Sequence, residues 1–496
     1  MTPPGRARWK RRVRSVALVV LIVGGLPAAA HFYLRWSSDW ELRKAAAEAD
    51  RLDPGWRLQD LENSREAIAE SENSALKVLA IKKMMPERPG RSEGLNNPHR
   101  SARRIVRDID SEAGVLMPRI RTWSPEVQFS PEMIQLLRDD LSHMSSALVE
   151  ARKLVDFPRG RYPIEYARRL WETVLISDES HIVAKLLWED AILAAQDQQI
   201  DKALSSAVAM LNTGRSIGDE PMSTSHSQRL LIQNLALVTI ERALAQGQAS
   251  AKKLEAVQRF LEDEAAQPLL LQAFRAERAG TYEHMTAIFS GEWKYTLRFF
   301  HGRVANKLPL RWNRYIDTVI VRRTYPAYFR LLTALVEIAK LPYEDQLLQI
   351  ERLVEQSRQF PKEFQSWFEA TARASHGFLR NQAGMRCAVA AMAVERFRLA
   401  RGRWPDSLTG LVPEFLPRAL VDPFDGQPLR FLRLIDSLLI YSIGPDGKDD
   451  GGLVNRGHFQ PAGSDVGFQL WDVSRRRQPP PAQAKPVTEA DEDQAP

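Results

Sequence analysis

Residues 179–221 read "ESHIVAKLLWEDAILAAQDQQIDKALSSAVAMLNTGRSIGDEP". Apolar side chains return every three or four positions, the period of an α-helix with one face turned inward. The pattern stops at a short polar break and resumes at once. Two antiparallel helices joined by a tight turn satisfy both observations, and this hairpin sets the fold class: mostly α.

The same grammar extends in both directions. From Trp40 to about Leu379 one helical segment follows another. "DWELRKAAAEADRL" ends at the turn Asp53-Pro54-Gly55, and "LQDLENSREAIAESENSALKVLAIKKMM" runs to Pro86. Residues 86–100 form a loop on composition. Ser130 then caps a long helix over "EMIQLLRDDLSHMSSALVEARKLV", with Pro131 in its first turn. Further helices are expected at 225–247, 250–265, 267–289, 325–340, 343–357 and 362–379. The segment "WEDAILAAQDQQIDKAL" resembles half a tetratricopeptide unit, but Gln196 stands where that unit has glycine. No period of about 34 residues recurs. The expectation is an irregular array of helical hairpins.

After Met385 the pattern changes. An Ala-rich helix, "MRCAVAAMAVERFRLARG", leads into two β-like runs, "LRFLRL" and "SLLIYSIG". Asp422-Pro423, Asp425-Gly426, Gly444-Pro445 and Asp446-Gly447 supply turns around them. This end reads as a small α+β module. From Arg475 the chain is polar and Pro-rich, the composition of a disordered tail.

The net charge of +7 is misleading as a nucleic-acid signal. Arg6, Arg8, Lys10, Arg11, Arg12 and Arg14 supply six of the seven charges before any acid occurs. Beside an apolar run such a cluster is a topology signal, so no nucleic acid is expected. The run is residues 16–34, "VALVVLIVGGLPAAAHFYL", uncharged and just long enough to span a bilayer. A cleaved signal peptide is the rival reading, because "LPAAAH" has a small-residue cleavage pattern. Phe32, Tyr33, Trp36 and Trp40 favour an uncleaved anchor with an interfacial aromatic belt. Either way the basic end stays cytoplasmic and the bulk of the chain lies on the exoplasmic side. The expected organisation is therefore a basic segment (1–14), a transmembrane anchor (15–36), helical domain (37–380), α+β module (381–474) and disordered tail (475–496). Residues 293–325 interleave Lys/Arg with aromatics, a mixture suited to an anionic membrane surface or an acidic partner; a solvated basic face whose aromatics are core is the competing reading. The lone Cys387 excludes an intrachain disulfide and reads as a small core residue.

The C-terminal module carries an ordered set of motifs: "VERFRLARGRWPDSLTGLV", "LVDPFDGQPLRF" and "LIYSIGPDGKDDGG". Together, over residues 385–452, they resemble the globular part of the major pseudopilins of type II secretion systems. The rest resembles membrane-anchored helical proteins of bacteria, which implies no activity. The chain lacks the Gly-Phe-Thr-x-x-Glu processing site of a pseudopilin, and residues 37–384 separate its anchor from the module. The resemblance implies calcium at the closing loop, carried over to Asp446, Asp449 and Asp450. Calcium takes six to eight oxygens from a tightly turning chain. A Gly/Asp-rich turn held by Asx hydrogen bonds is the competing reading.

No catalytic set stands out. The nine histidines are scattered, without a His-x-x-x-His pair. Ser74-Ala-Leu-Lys77 fits a serine–lysine pattern, read as coincidence on a helix surface. Acidic groups such as Asp139-Asp140 and Glu262, Asp263 and Glu264 read as solvated helix faces. "RGRYP" (159–163) and "RGRWP" (401–405) both read as a glycine cap followed by proline. The chain is thus expected to be a membrane-anchored interaction or scaffold protein with envelope protein partners. The alternative is an envelope hydrolase whose site is assembled by the fold.

Overall fold

The computed structural model describes residues 9, 14–15, 25–86, 123–164, 178–290, 310–454 and 465–480 of the 496. Helices α1 (Leu26–Leu52), α2 (Leu58–Asn63) and α3 (Ser74–Met84) come first. Then follow α4 (Pro131–His143), α5 (Ser145–Arg152), the hairpin α6 (Asp178–Gln196) and α7 (Ile200–Arg215), α8 (Ser223–Gln246) and α9 (Ala251–Ala265). The helical part closes with α10 (Leu269–Ser290), α11 (Leu310–Ile338), α12 (Tyr343–Ser357) and α13 (Lys362–Arg401). Strands β1 (Arg430–Arg433), β2 (Ser437–Ser442) and β3 (Val466–Trp471) form an antiparallel sheet in that order. The protein is mostly helical with a small sheet at its C-terminal end, as its periodicity predicts.

The α6–α7 hairpin turns at Gln198, which takes a left-handed φ of 59°. Its amide and that of Gln199 return to the Ala195 and Ala194 carbonyls (3.1 and 2.8 Å), closing the helix end. Ser130 caps α4 as expected, accepting from the Met133 amide. Two expected helices are broken. Residues 58–84 are interrupted because Arg65 turns inward to meet Glu62 and Asp219, and Asn73 then starts α3 by accepting from the Ala75 amide. Residues 131–152 break at Met144, whose backbone leaves the helical region.

Two expected helices are instead one. Helix α13 runs 40 residues through the expected junction at 380–385. It ends at Gly402, a left-handed cap with φ 72°. Gly160, its counterpart in "RGRYP", is no cap. A Cβ there would lie 2.5 Å from the Ser216 Cα, so this glycine permits close chain packing.

Among the described residues, buried apolar side chains form two large clusters. One joins α3 to α9 with the C-terminal half of α13 and the sheet, through Met385, Val389 and Met392. The other joins α1, α10, α11 and α12 with the N-terminal half of α13, through Phe364, Phe368 and Phe378. At about 1.5 Å per residue α13 is a rod of roughly 60 Å with one half in each core.

Residues 475–480 lie at the start of the expected disordered tail, but they are tied down. Arg476 is buried, with Nη2 2.9 Å from Glu395 and Nη1 2.8 Å from the Gly247 carbonyl. Gln478 pairs with Val127 in a parallel bridge. Residues 481–496 lie outside the described residues.

At the other end, residues 16–24 of the expected anchor also lie outside them, and residues 26–34 open α1. Among the described residues no helix is long and apolar enough to cross a membrane. Most of the basic-aromatic region is likewise outside, through residue 309.

Candidate functional site

Strand β2 is buried at all six positions, which fixes both of its neighbours. Leu432 pairs with Leu439 on one side, and Phe468 with Ile440 on the other. The turn at 422–427 precedes β1 and places Asp422 beneath the end of β2. Asp422 is fully buried. Its Oδ1 accepts from the Phe424 amide (3.0 Å) and Ser442 Oγ (2.8 Å). Its Oδ2 accepts from the Ile443 amide (2.9 Å) and Arg430 Nη1 (2.6 Å). Burial pushes its carboxyl above the ordinary range, while these donors hold the anion.

Arg430 is the centre of the arrangement. Its Nη2 donates to Asp425 Oδ2 at 2.5 Å, and its Nε lies 3.8 Å from Asp449 Oδ2. Burial acts to raise Asp425, but the guanidinium prevails and holds it below the usual carboxylate range. One arginine thus faces three aspartates.

The closing loop uses its own acids locally. Asp446 is exposed and its Oδ1 accepts from the Lys448 amide at 3.1 Å, an Asx turn. Asp449 Oδ1 accepts from the Gly451 amide (2.9 Å) and from Tyr441 Oη (3.1 Å). Burial, then the bond to Asp449, push the Tyr441 phenol up to about 12. The Asp450 amide approaches Asp465 Oδ1 at 3.5 Å, and the Gly452 amide donates to Asp465 Oδ2 at 2.7 Å. Burial, with Asp449 and Asp450 nearby, raises the Asp465 carboxyl.

Asp446, Asp449 and Asp450 therefore sit on one loop without converging. Among the described residues no three acidic, histidine or cysteine side chains are grouped to hold a metal. In this arrangement Asp446 and Asp449 cap turns, and the cation beside Asp449 is the Arg430 guanidinium. Asp465 and Arg430 organise the loop and were not among the expected site residues. Alternation in "DVGFQLW" is the sequence signal that marks β3 and so Asp465 before it.

The other candidates resolve into structure. Ser74 is fully buried rather than on a helix surface, and its Oγ donates to the Arg159 carbonyl at 2.7 Å. Lys77 lies over the Phe157 ring instead of pointing at Ser74. Glu264, expected in solvent, is buried between Arg215, Arg229 and Gln233. Burial acts to raise its carboxyl, yet the two guanidiniums hold it below the ordinary range. Cys387 is buried, with its thiol pushed up by burial. A cavity between α8, α9, α10, α12 and α13, lined by Gln233, Glu264, Tyr343 and Asn381, measures about 20 Å³, room for roughly one water.

No family model, no curated protein and no solved structure matches the chain.

Proposed function

We propose that this is a membrane-anchored exoplasmic interaction or scaffold protein of the cell envelope. In this reading its pseudopilin-like C-terminal module meets secretion or pilus-like machinery, and residues 16–34 hold the chain in the bilayer. The observation that carries the reading is α1. It begins inside the apolar run and continues without a break into the second core, where Leu42, Ala45, Ala46 and Ala49 are buried. Its other side exposes Phe32, Tyr33, Trp36 and Trp40, the residue types that favour a membrane–water interface. The module adds exposed apolar residues on its rim, with Ile435 fully exposed at the β1–β2 turn and Leu453 and Val473 largely so. Such residues suit a protein contact.

The test uses the full chain expressed in bacterial cells. It is expected in the membrane pellet after salt and alkaline carbonate washes. Protease added outside spheroplasts should digest all but an N-terminal stub. Release into the soluble fraction, or full protection from the protease, would sink the reading.

A further inference from the structure

Antiparallel strands turn the main-chain groups of alternate residues to alternate sides. The β1–β2 turn sets the phase, because the Leu434 amide donates to the Ser437 carbonyl at 2.9 Å. Leu434, Leu432 and Arg430 therefore face β2, opposite Ser437, Leu439 and Tyr441, and the main chain of Phe431 and Arg433 faces outward. On β2 the groups of Leu438, Ile440 and Ser442 face β3, opposite Leu470, Phe468 and Val466. Gln469 and Trp471 then face outward on the other edge.

The two edges are finished differently. At β3 the Gln469 amide donates to Glu241 Oε1 at 2.8 Å, and the Trp471 carbonyl accepts from Arg476 Nε at 3.0 Å. At β1 the edge is closed only at its start, where the Leu429 amide reaches the Leu420 carbonyl at 3.1 Å. Among the described residues no hydrogen bond reaches the main chain of Phe431 or Arg433 from the outer side. The usual guards of an exposed edge are missing too. No proline or lysine lies between Leu429 and Asp436. Both arginines are turned onto acids of their own chain, Arg430 to Asp422 and Asp425, and Arg433 to Asp472. Leu434 and Ile435 are exposed at the end of the strand. Leu453 is exposed beside it, next to Gly452, whose added Cβ would lie 3.6 Å from Leu432.

Only another extended main chain matches donors and acceptors at this two-residue spacing. We propose that it is β1 of a second copy, antiparallel about a two-fold axis through Leu432. Phe431 then stands opposite the copy's Arg433, and Arg433 opposite its Phe431, each pair exchanging main-chain hydrogen bonds. Leu432 meets the copy's Leu432 in the closer type of pair, the one without hydrogen bonds. Charge favours an identical partner. Each arginine already has its own aspartate, and Arg430 falls opposite Leu434, so no guanidinium faces its copy. An axis through Phe431 would need the Leu429 amide, which Leu420 already holds, and one through Arg433 would set two guanidiniums together. A contact of this two-fold kind closes as a dimer, with the two three-stranded sheets joined into one.

The test uses the full chain in detergent micelles, with Leu432→Cys in a Cys387→Ala background. Cα atoms of such a pair lie about 4.5 Å apart, within disulfide reach. Oxidation by copper–phenanthroline is expected to link two copies several-fold faster through position 432 than through Leu136→Cys, a 55% exposed site on α4. The unsubstituted chain should sediment as a concentration-dependent dimer. Arg433→Pro removes an outward amide and should raise its dissociation constant about tenfold or more. A monomer at every concentration up to about 100 µM overturns the pairing. Equal linking through 432 and 136 overturns it as well. A dimer that persists in a folded Arg433→Pro chain is held by another face, and this also overturns it. Should Arg433→Pro fail to fold, Leu432→Glu sets two carboxylates at the axis and is expected to give the same loss.

Discussion

His226 lies wholly inside the array, its ring Nε2 2.8 Å from the Glu220 carbonyl. Burial first, then Arg229 nearby, lower its pKa from 6.5 to about 4. Between those values the unfolded chain binds a proton that the native protein does not. Stability therefore falls as pH drops from about 6.5 to 4, by up to roughly 3 kcal/mol from this group. His284 is lowered to about 4 as well, by burial, and adds to the same window. His226→Gln should visibly flatten the loss measured by urea unfolding across that range; an unchanged slope would show that the acid sensitivity lies elsewhere. Nothing in the sequence around His226 marks it, because its burial is decided by how the helices pack and not by the local pattern. Glu264 teaches the same lesson, since one member of an acidic triplet faces inward and only the helix packing decides which.

At the scale of elements, Arg430 ties β1 to the turn before it and to the loop after β2. Replacing it by methionine removes a charged partner from buried Asp422, which keeps three other donors. Arg430→Met should cost about 2 kcal/mol in a thermal or urea melt. The same arrangement predicts that calcium at about 1 mM leaves the melting temperature of the wild-type chain unchanged. A calcium-dependent rise abolished by Asp449→Ala would show that the loop rearranges to bind the ion. Helices were legible here wherever amphipathic period and cap agreed, as at Ser130. Strand β3 was harder to see because Gly467 is its second residue, and its pairing with β2 spans residues far apart in sequence. The break at 64–73 comes from contacts with Asp219 and the 159–163 segment, which no local pattern contains.

Over the whole molecule, the C-terminal segment closes back onto the helices. Arg476 supplies Glu395, a fully buried carboxylate, with a second cation beside Arg398. A chain ending at Ser474 should lose about 3 kcal/mol or more, since a buried charge loses a partner. A chain ending at Pro480 should melt like the parent. Equal melting of the two would show that Arg476 contributes nothing. Composition put residues 475–480 in a disordered tail, because prolines mark where a chain leaves regular structure, not where it leaves the surface. The mostly helical architecture was readable from period alone. How the cores divide was not, since it depends on one helix bridging both. That bridge has a mechanical side. A load applied to the three-stranded sheet enters α13 from Gly384 onward and travels along a stiff rod whose other half is built into the core around α1. Helix α13 runs unbroken between the two, so a tug at one end is felt at the other as displacement.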